Sequence, residues 1–336
     1  MAKMQRNQQA ALWEFISTEL SYINKLKIIK DVTPELLFSN LPSILQAHQQ
    51  FWLEVLYPML QEVRRTGKPF DPTRLEPGCL QFHERFSAYH DYCWEEENNL
   101  EFTRRQMESN PLFNAFVQWV EDQPQCERMR LGDMQAKPHQ RITKYPLLLK
   151  SVLENTQQPH MELTLRAMLS SVNRFLEGIN HYMQVKDDEY ALSISAQRVE
   201  GYEVEGINEE IDKLVREICQ FDLTCSISGV GSEVIRKLLL EENLKVRGRK
   251  DSKLVALLFS DVLLLTKVQK KVERLKVARP PLALDRTSCV ALKDGSEKGA
   301  KKQVRTCTKC RFSRLKSTES SERRIENLSA YITLVR

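Results

Sequence analysis

The chain has 336 residues, 41% of them hydrophobic and 28% charged, with a formal net charge of +5. That length predicts two domains with sizeable cores, and the composition is that of an ordinary globular chain rather than a disordered or fibrous one. No run approaches the ~20 apolar residues of a membrane span. Lys3, Arg6, Gln8, Gln9, Glu14 and Glu19 interrupt the first twenty residues, so no signal peptide is expected.

Only eleven glycines are present, so helix should dominate. Eight cysteines lie scattered with no disulfide-like framework, which predicts a reducing, cytoplasmic setting. Cys307-Thr-Lys-Cys310 is a lone pair without the second pair that a structural zinc site needs, so no metal is expected. The basic character is confined to the tail. From Ser296 onward there are eleven basic residues against four acidic ones.

In chain order, a strong helix runs from about Gln9 to Lys30. Leu12, Ile16, Ile23 and Leu26 mark its apolar seam, with Glu19 filling the gap between Ile16 and Ile23. An acid in such a seam is costly if buried alone. Glu19 therefore lies at the stripe's exposed edge, pairs with a nearby lysine, or is kept for a partner protein. Residues 34–64 carry further helical pattern, punctuated by Pro34, Pro42 and Pro58. A breaker-rich loop spans Thr66 to Gly78, and Leu80–Met107 reads as one long helix. Another helix follows the Ser109-Asn-Pro111 start.

Met134–Thr156 reads as a single helix that Pro138 starts and Pro146 bends. Ile142, Tyr145, Leu148, Leu149, Val152 and Leu153 form its apolar stripe, while Gln140, Lys144, Leu147 and Ser151 form a second face. A final helix runs from Met161 to about Lys186. Met168, Val172, Phe175, Ile179 and Met183 lie on its apolar side, and Asn173, Glu177, Asn180 and Gln184 on its polar side.

Beyond Asp187 the composition breaks into a linker that holds a short amphipathic helix, Ile207–Phe221, and a Gly229-Val-Gly231 joint. From about Ile235 the period changes. Leu238–Leu240, Leu244–Val246 and Leu254–Val268 read as strands, with one more from Pro280–Leu284 or Cys289–Leu292. The Lys/Arg/Ser/Thr-rich stretch after Asp294 is expected to be disordered.

Enzyme constellations are missing. There is no phosphate loop, no G-x-S-x-G and no H-E-x-x-H. The six histidines (His48, His83, His90, His139, His160 and His181) show no i, i+4 pair. Nucleic-acid binding has only the basic tail in its favour, so no nucleic acid partner and no cofactor are expected.

Two stretches carry a family resemblance. Gln140-Arg-Ile-Thr-Lys-Tyr-Pro-Leu-Leu-Leu-Lys150 closely resembles the signature helix of Dbl-homology domains, the exchange factors for Rho-family GTPases. Glu14-Phe-Ile-Ser-Thr-Glu19-Leu-Ser-Tyr22-Ile-Asn-Lys-Leu26 is similar to the first helix of that family. The strands around Glu242–Arg247 and Leu258–Leu265 resemble the opening of a pleckstrin-homology domain, which normally follows a Dbl-homology domain. The Glu200-Gly-Tyr-Glu-Val-Glu205 linker resembles the pleckstrin-homology-containing G group. The match fades after Asp294, so the pleckstrin-homology module is expected to be truncated, with an open edge and an incomplete core.

The resemblance implies a mainly α chain with a smaller β region. A six-helix, elongated Dbl-homology bundle would occupy 9–187 and a linker with a short helix 188–234. A partial pleckstrin-homology β-barrel would occupy 235–294 and a basic tail 295–336. It implies a nucleotide exchange factor that regulates a GTPase without bond-making chemistry of its own. Glu19 would bind switch I, while Lys144 and Asn180 would reach switch II. Gln140 and Leu147 would pack at the interface, and Arg128 and Met129 would sense which GTPase is bound. The expected partner is RhoA-like, with Rac, Cdc42 and RhoG as alternatives. The basic tail would touch anionic membrane, giving a cytoplasmic protein with cytoskeletal or membrane association. The competing reading is a helical scaffold without exchange activity.

Overall fold

The computed structural model describes residues 3–200, 222–225, 227, 234–246, 252–269, 274–278 and 281–286. The chain divides into two units, Met1–Gln184 and Val185–Arg336. The expected Ile207–Phe221 helix, the Gly229–Gly231 joint, the Cys289–Leu292 strand, the Cys307–Cys310 pair and the basic tail all lie outside the described residues.

The first unit is helical. Helix α1 spans Lys3–Val32 and buries Leu12, Phe15, Ile16, Glu19, Tyr22, Ile23, Leu26 and Ile29 on one side. These positions recur at the helical period, so a single stripe faces the core. Helix α2, Leu41–Phe51, passes through one π turn, Trp52–Leu56, into α3, Tyr57–Thr66. Gly67 ends α3 at φ +66°, a left-handed cap whose amide donates to Val63 O at 2.9 Å.

The helix expected over Leu80–Met107 is broken into three: α4 Glu76–Leu80, α5 Phe82–Arg85 and α6 Tyr89–Ser109. At the break before α6 the Ala88 carbonyl accepts from Asn40 Nδ2 at 2.8 Å, tying the turn to the start of α2. Helix α7, Pro111–Glu121, begins as expected at Asn110, whose side chain accepts from the amides of Leu112 and Phe113.

The stretch read as one bent helix is two: α8, Leu131–Ile142, and α9, Tyr145–Glu154. The chain turns at Thr143–Lys144, and Pro146 sits in the first turn of α9, where a missing N–H costs no helical bond. Pro138 lies inside α8 rather than at its start. Helix α10 runs from Pro159 to Arg198, through the beginning of the expected linker. One core gathers all these helices, with Phe15, Phe51, Phe82, Phe86, Tyr89 and Tyr145 fully buried in it.

Among its described residues the second unit holds the last turns of α10 and a six-stranded sheet. Strand β1 (Val199–Glu200) is parallel to β5 (Leu275–Val277). Strands β2 (Leu238–Val246), β3 (Ser252–Phe259), β4 (Val262–Val268) and β5 pair antiparallel in sequence, giving the order β1-β5-β4-β3-β2. Strand β6 (Leu282–Ala283) also pairs with β4. Alternate residues of β3 and β4 point to opposite faces. Val255, Leu257, Phe259, Val262 and Leu264 pack with Leu192 and Leu223 on one face, and Leu254, Ala256, Leu263 and Leu265 cluster on the other. Buried Arg236 fixes the Asp261 turn between β3 and β4 through Nε at 2.7 Å and Nη2 at 2.8 Å, and also donates to the Leu223 carbonyl.

Candidate functional site

Glu19 is not a surface acid. Its side chain is 0% exposed, and both carboxylate oxygens are occupied. Oε2 accepts from Arg141 Nε at 3.0 Å, Arg141 Nη2 at 2.5 Å and the Tyr145 hydroxyl at 2.7 Å. Oε1 lies 2.6 Å from His48 Nδ1. A carboxylate only accepts, so Nδ1 carries the hydrogen. His48 Nε2 then meets the Tyr89 hydroxyl at 2.7 Å, and Tyr89 meets Tyr22 at 3.1 Å. The hub joins α1, α2, α6, α8 and α9.

The electrostatics follow from that packing. Burial alone would push the Glu19 carboxyl up. His48, Arg141 and Tyr145 outweigh burial and hold it at about 2, so the group stays ionised. Burial, helped by the Glu19 charge, pushes the Tyr145 phenol well above its ordinary value, so it stays protonated and donates. The expectation that Glu19 grips a partner is therefore corrected. Nor does it sit at an exposed edge or pair with a lysine; its cationic partner is Arg141, 122 residues away in sequence.

Four of the other expected residues are exposed on helices of the first unit. Gln140 lies in the last turn of α8, Lys144 occupies the N-cap position of α9, and Leu147, 67% exposed, lies one turn further along the same side. Thr143 and Lys144 keep right-handed helical dihedrals at the turn between the two helices, so the spacing of four and three residues leaves Gln140, Lys144 and Leu147 on one side. Asn180 is exposed on α10, beside buried Ile179. Phe82 packs edge-on to both Tyr145 of α9 and Phe175 of α10, with ring centroids 5.1 and 5.4 Å apart, so the two helices share one core.

Arg128 and Met129 lie in the loop before α8. Arg128 is exposed with φ +61°, and Met129 is half-buried against the core. Neighbouring Glu127, also left-handed at φ +52°, pairs with Lys25 of α1 at 3.5 Å.

Sequence reasoning passed over Glu14. Helices α1 and α9 run antiparallel, with Gln8 Nε2 bonded to Thr156 Oγ1 at 2.8 Å at one end and Arg141 bonded to Thr18 and Glu19 at the other. Glu14 lies one turn before Thr18 on the same edge of α1. Thr18 Oγ1 accepts from Arg141 Nη1 at 3.1 Å, and Arg141 lies just before Lys144. The geometry thus sets Glu14 on the α9 side of α1. Glu14 is exposed, and among the described residues its carboxylate has no hydrogen bond or ion pair. Helical phase was the available signal: Glu19 falls on the apolar stripe and Glu14 beside it.

Among the described residues there is no group of three His, Cys, Asp or Glu placed to hold a metal ion, and no helix long and apolar enough to cross a membrane.

Comparison with known proteins identifies the fold. The chain is 41% identical over 314 residues to human pleckstrin homology domain-containing family G member 5, a match covering 88% of this chain and 31% of the relative. It is 42% identical over 308 residues to human family G member 6, covering 86% of this chain and 39% of the relative. The chain thus spans about a third of the length of the curated relatives it matches. Among solved structures, PDZ-RhoGEF DH/PH domains in complex with GTP-gamma-S activated RhoA superpose with a TM-score of 0.64 at 22% identity, covering 87% of this chain and 84% of that one. That likeness shows a shared Dbl-homology/pleckstrin-homology fold. The RhoGEF domain profile matches residues 11–180, half of the chain. The chain belongs to the RhoGEF (Dbl homology) family.

Proposed function

We propose that the protein is a guanine nucleotide exchange factor for a Rho-family GTPase, with RhoA the favoured target ahead of Rac, Cdc42 and RhoG. The observation that carries this reading is the exposed face of α8 and α9, Gln140, Lys144 and Leu147, set beside the exposed acid Glu14 on α1. A basic head, an acid and an apolar side chain on rigid helices suit a partner that presents both charged and apolar loops. The RhoA in the complex of the PDZ-RhoGEF domains supports the choice of target.

In this reading Glu14 takes the switch I role and Lys144 and Asn180 engage switch II. Gln140 and Leu147 pack at the interface, and Arg128 and Met129 bias the choice of GTPase. Exchange then follows from linkage. A factor that binds the nucleotide-free GTPase more tightly than the loaded one must weaken nucleotide affinity by the same factor. Holding both switches disturbs the phosphate and magnesium site of the GTPase, GDP leaves, and GTP replaces it. The factor needs no cofactor and makes no covalent bond. The basic residues after Ser296 would add attraction to anionic membrane of roughly 1 kcal/mol each near the surface.

Release of fluorescent GDP from purified RhoA, Rac and Cdc42 tests the proposal. Acceleration on RhoA above the other two is expected. No acceleration on any of them by folded protein would refute exchange activity.

A further inference from the structure

We infer that the buried Glu19 hub is a positioning device for Lys144, with Tyr145 and Arg141 as the positioning residues that act through it. This rests on the reading of Lys144 as a GTPase contact. The two helices α8 and α9 meet at a turn, Thr143–Lys144, so no continuous helix holds Lys144 in place. Its backbone is set by the residues on either side. Lys144 N donates to Arg141 O at 3.0 Å, and its own carbonyl accepts from Leu148 N at 3.0 Å.

Both flanks of the turn are anchored to one atom. Arg141, three residues before Lys144, and Tyr145, directly after it, both bond Glu19 Oε2. Arg141 Nη1 adds a bond to Thr18, next to Glu19. His48 holds the other oxygen from α2, so the carboxylate cannot swing away. The turn is thereby fixed to α1, the helix that carries Glu14. One buried carboxylate sets the distance between the acid and the base of the proposed docking face.

A fixed distance matters because the contacts act on two switches at once. Misplacement by about 1 Å, far from any chemistry, costs roughly a hundredfold in well-oriented systems. A hub serving stability alone would place no demand on where Lys144 sits.

Tyr145→Phe is the discriminating variant. It deletes the hydroxyl's bond to Glu19 Oε2 and its 3.3 Å contact with His48 Nδ1, and keeps the ring that packs on Phe15, Phe82 and Phe86. Fluorescent-GDP release from RhoA is measured for wild type, Tyr145→Phe, Lys144→Ala and the double variant. The factor is in stoichiometric excess, so that weak residual exchange is read. Thermal unfolding by circular dichroism confirms that each variant is folded.

The expected result is about a tenfold loss for Tyr145→Phe in the wild-type background. The double variant then shows no further loss beyond Lys144→Ala, because a positioning residue has nothing left to position. An equal loss in both backgrounds, or none in the wild-type background, would overturn the inference and leave the hub a purely structural element. An unaffected Lys144→Ala would defeat the underlying reading itself, and that outcome is visible separately.

Discussion

Glu19 and Arg141 form a buried pair in which two guanidinium nitrogens converge on one carboxylate oxygen, at 3.0 and 2.5 Å. The residues are 122 positions apart in sequence, so this pair clamps the first helix to the α8–α9 turn. Arg141 also lies over the Tyr145 ring, 5.0 Å from its centroid, which shields the pair from water.

Removing one member of such a pair strands the other. Glu19→Ala leaves the Arg141 guanidinium buried without its acid and should destabilise the first unit by about 3–5 kcal/mol. Urea denaturation followed by circular dichroism checks this. A loss under about 1 kcal/mol would show that the clamp is readily replaced by water.

The ionisation of Glu19 makes the fold sensitive to acid. Its folded value, about 2, lies below the ordinary 4.5. The contribution is therefore complete above pH 4.5 and is lost as pH falls toward 2, in total about 3 kcal/mol. Urea midpoints of wild type should drop steeply across that window. Glu19→Gln should start lower at neutral pH and fall less steeply, since it has no proton to gain at that site.

A second titration runs in the opposite direction. The hydrogen bond that His139 Nδ1 donates to Glu96 Oε2 at 2.7 Å outweighs partial burial and raises the histidine above 6.5. Its stabilisation is complete below pH 6.5 and is lost as pH rises through the raised value. Glu96→Gln should remove this slope, so the melting temperatures of wild type and variant converge as pH rises above 6.5.

Gly78 of α4 packs closely on the end of α2 and on the π turn that follows it. A Cβ there would sit 2.6 Å from Phe51 Cε2 and 2.8 Å from Val55 Cγ2. Gly78→Ala should cost about 1–3 kcal/mol through overpacking. A calorimetric midpoint equal to wild type would contradict that contact.

The bundle was legible because its signal is local. The stripe from Leu12 to Leu26 and the Asn110 cap each need only a few neighbouring residues. Glu19 was misread because its partners, Arg141, Tyr145 and His48, are distant in sequence, and spacing reports no such pairing. Pro146 announced a bend in the signature stretch rather than a break. Its fixed φ suits a first helical turn, so the break falls just before it, at Thr143–Lys144. The continuation of α10 to Arg198 was illegible for a different reason. Asp187, Asp188 and Glu189 change the composition but do not break a helix, and the later turns are held by Leu192 and Ala196 packing on the sheet.

The most direct test of the docking face compares Glu14→Ala and Lys144→Ala with wild type in fluorescent-GDP release from RhoA. Glu14 and Lys144 are exposed, so both variants should melt as wild type does. Each should lose at least about thirtyfold in exchange, the equivalent of about 2 kcal/mol for a charged interfacial contact. Undiminished exchange by a folded Glu14→Ala or Lys144→Ala protein would contradict the assignment of that residue to the face.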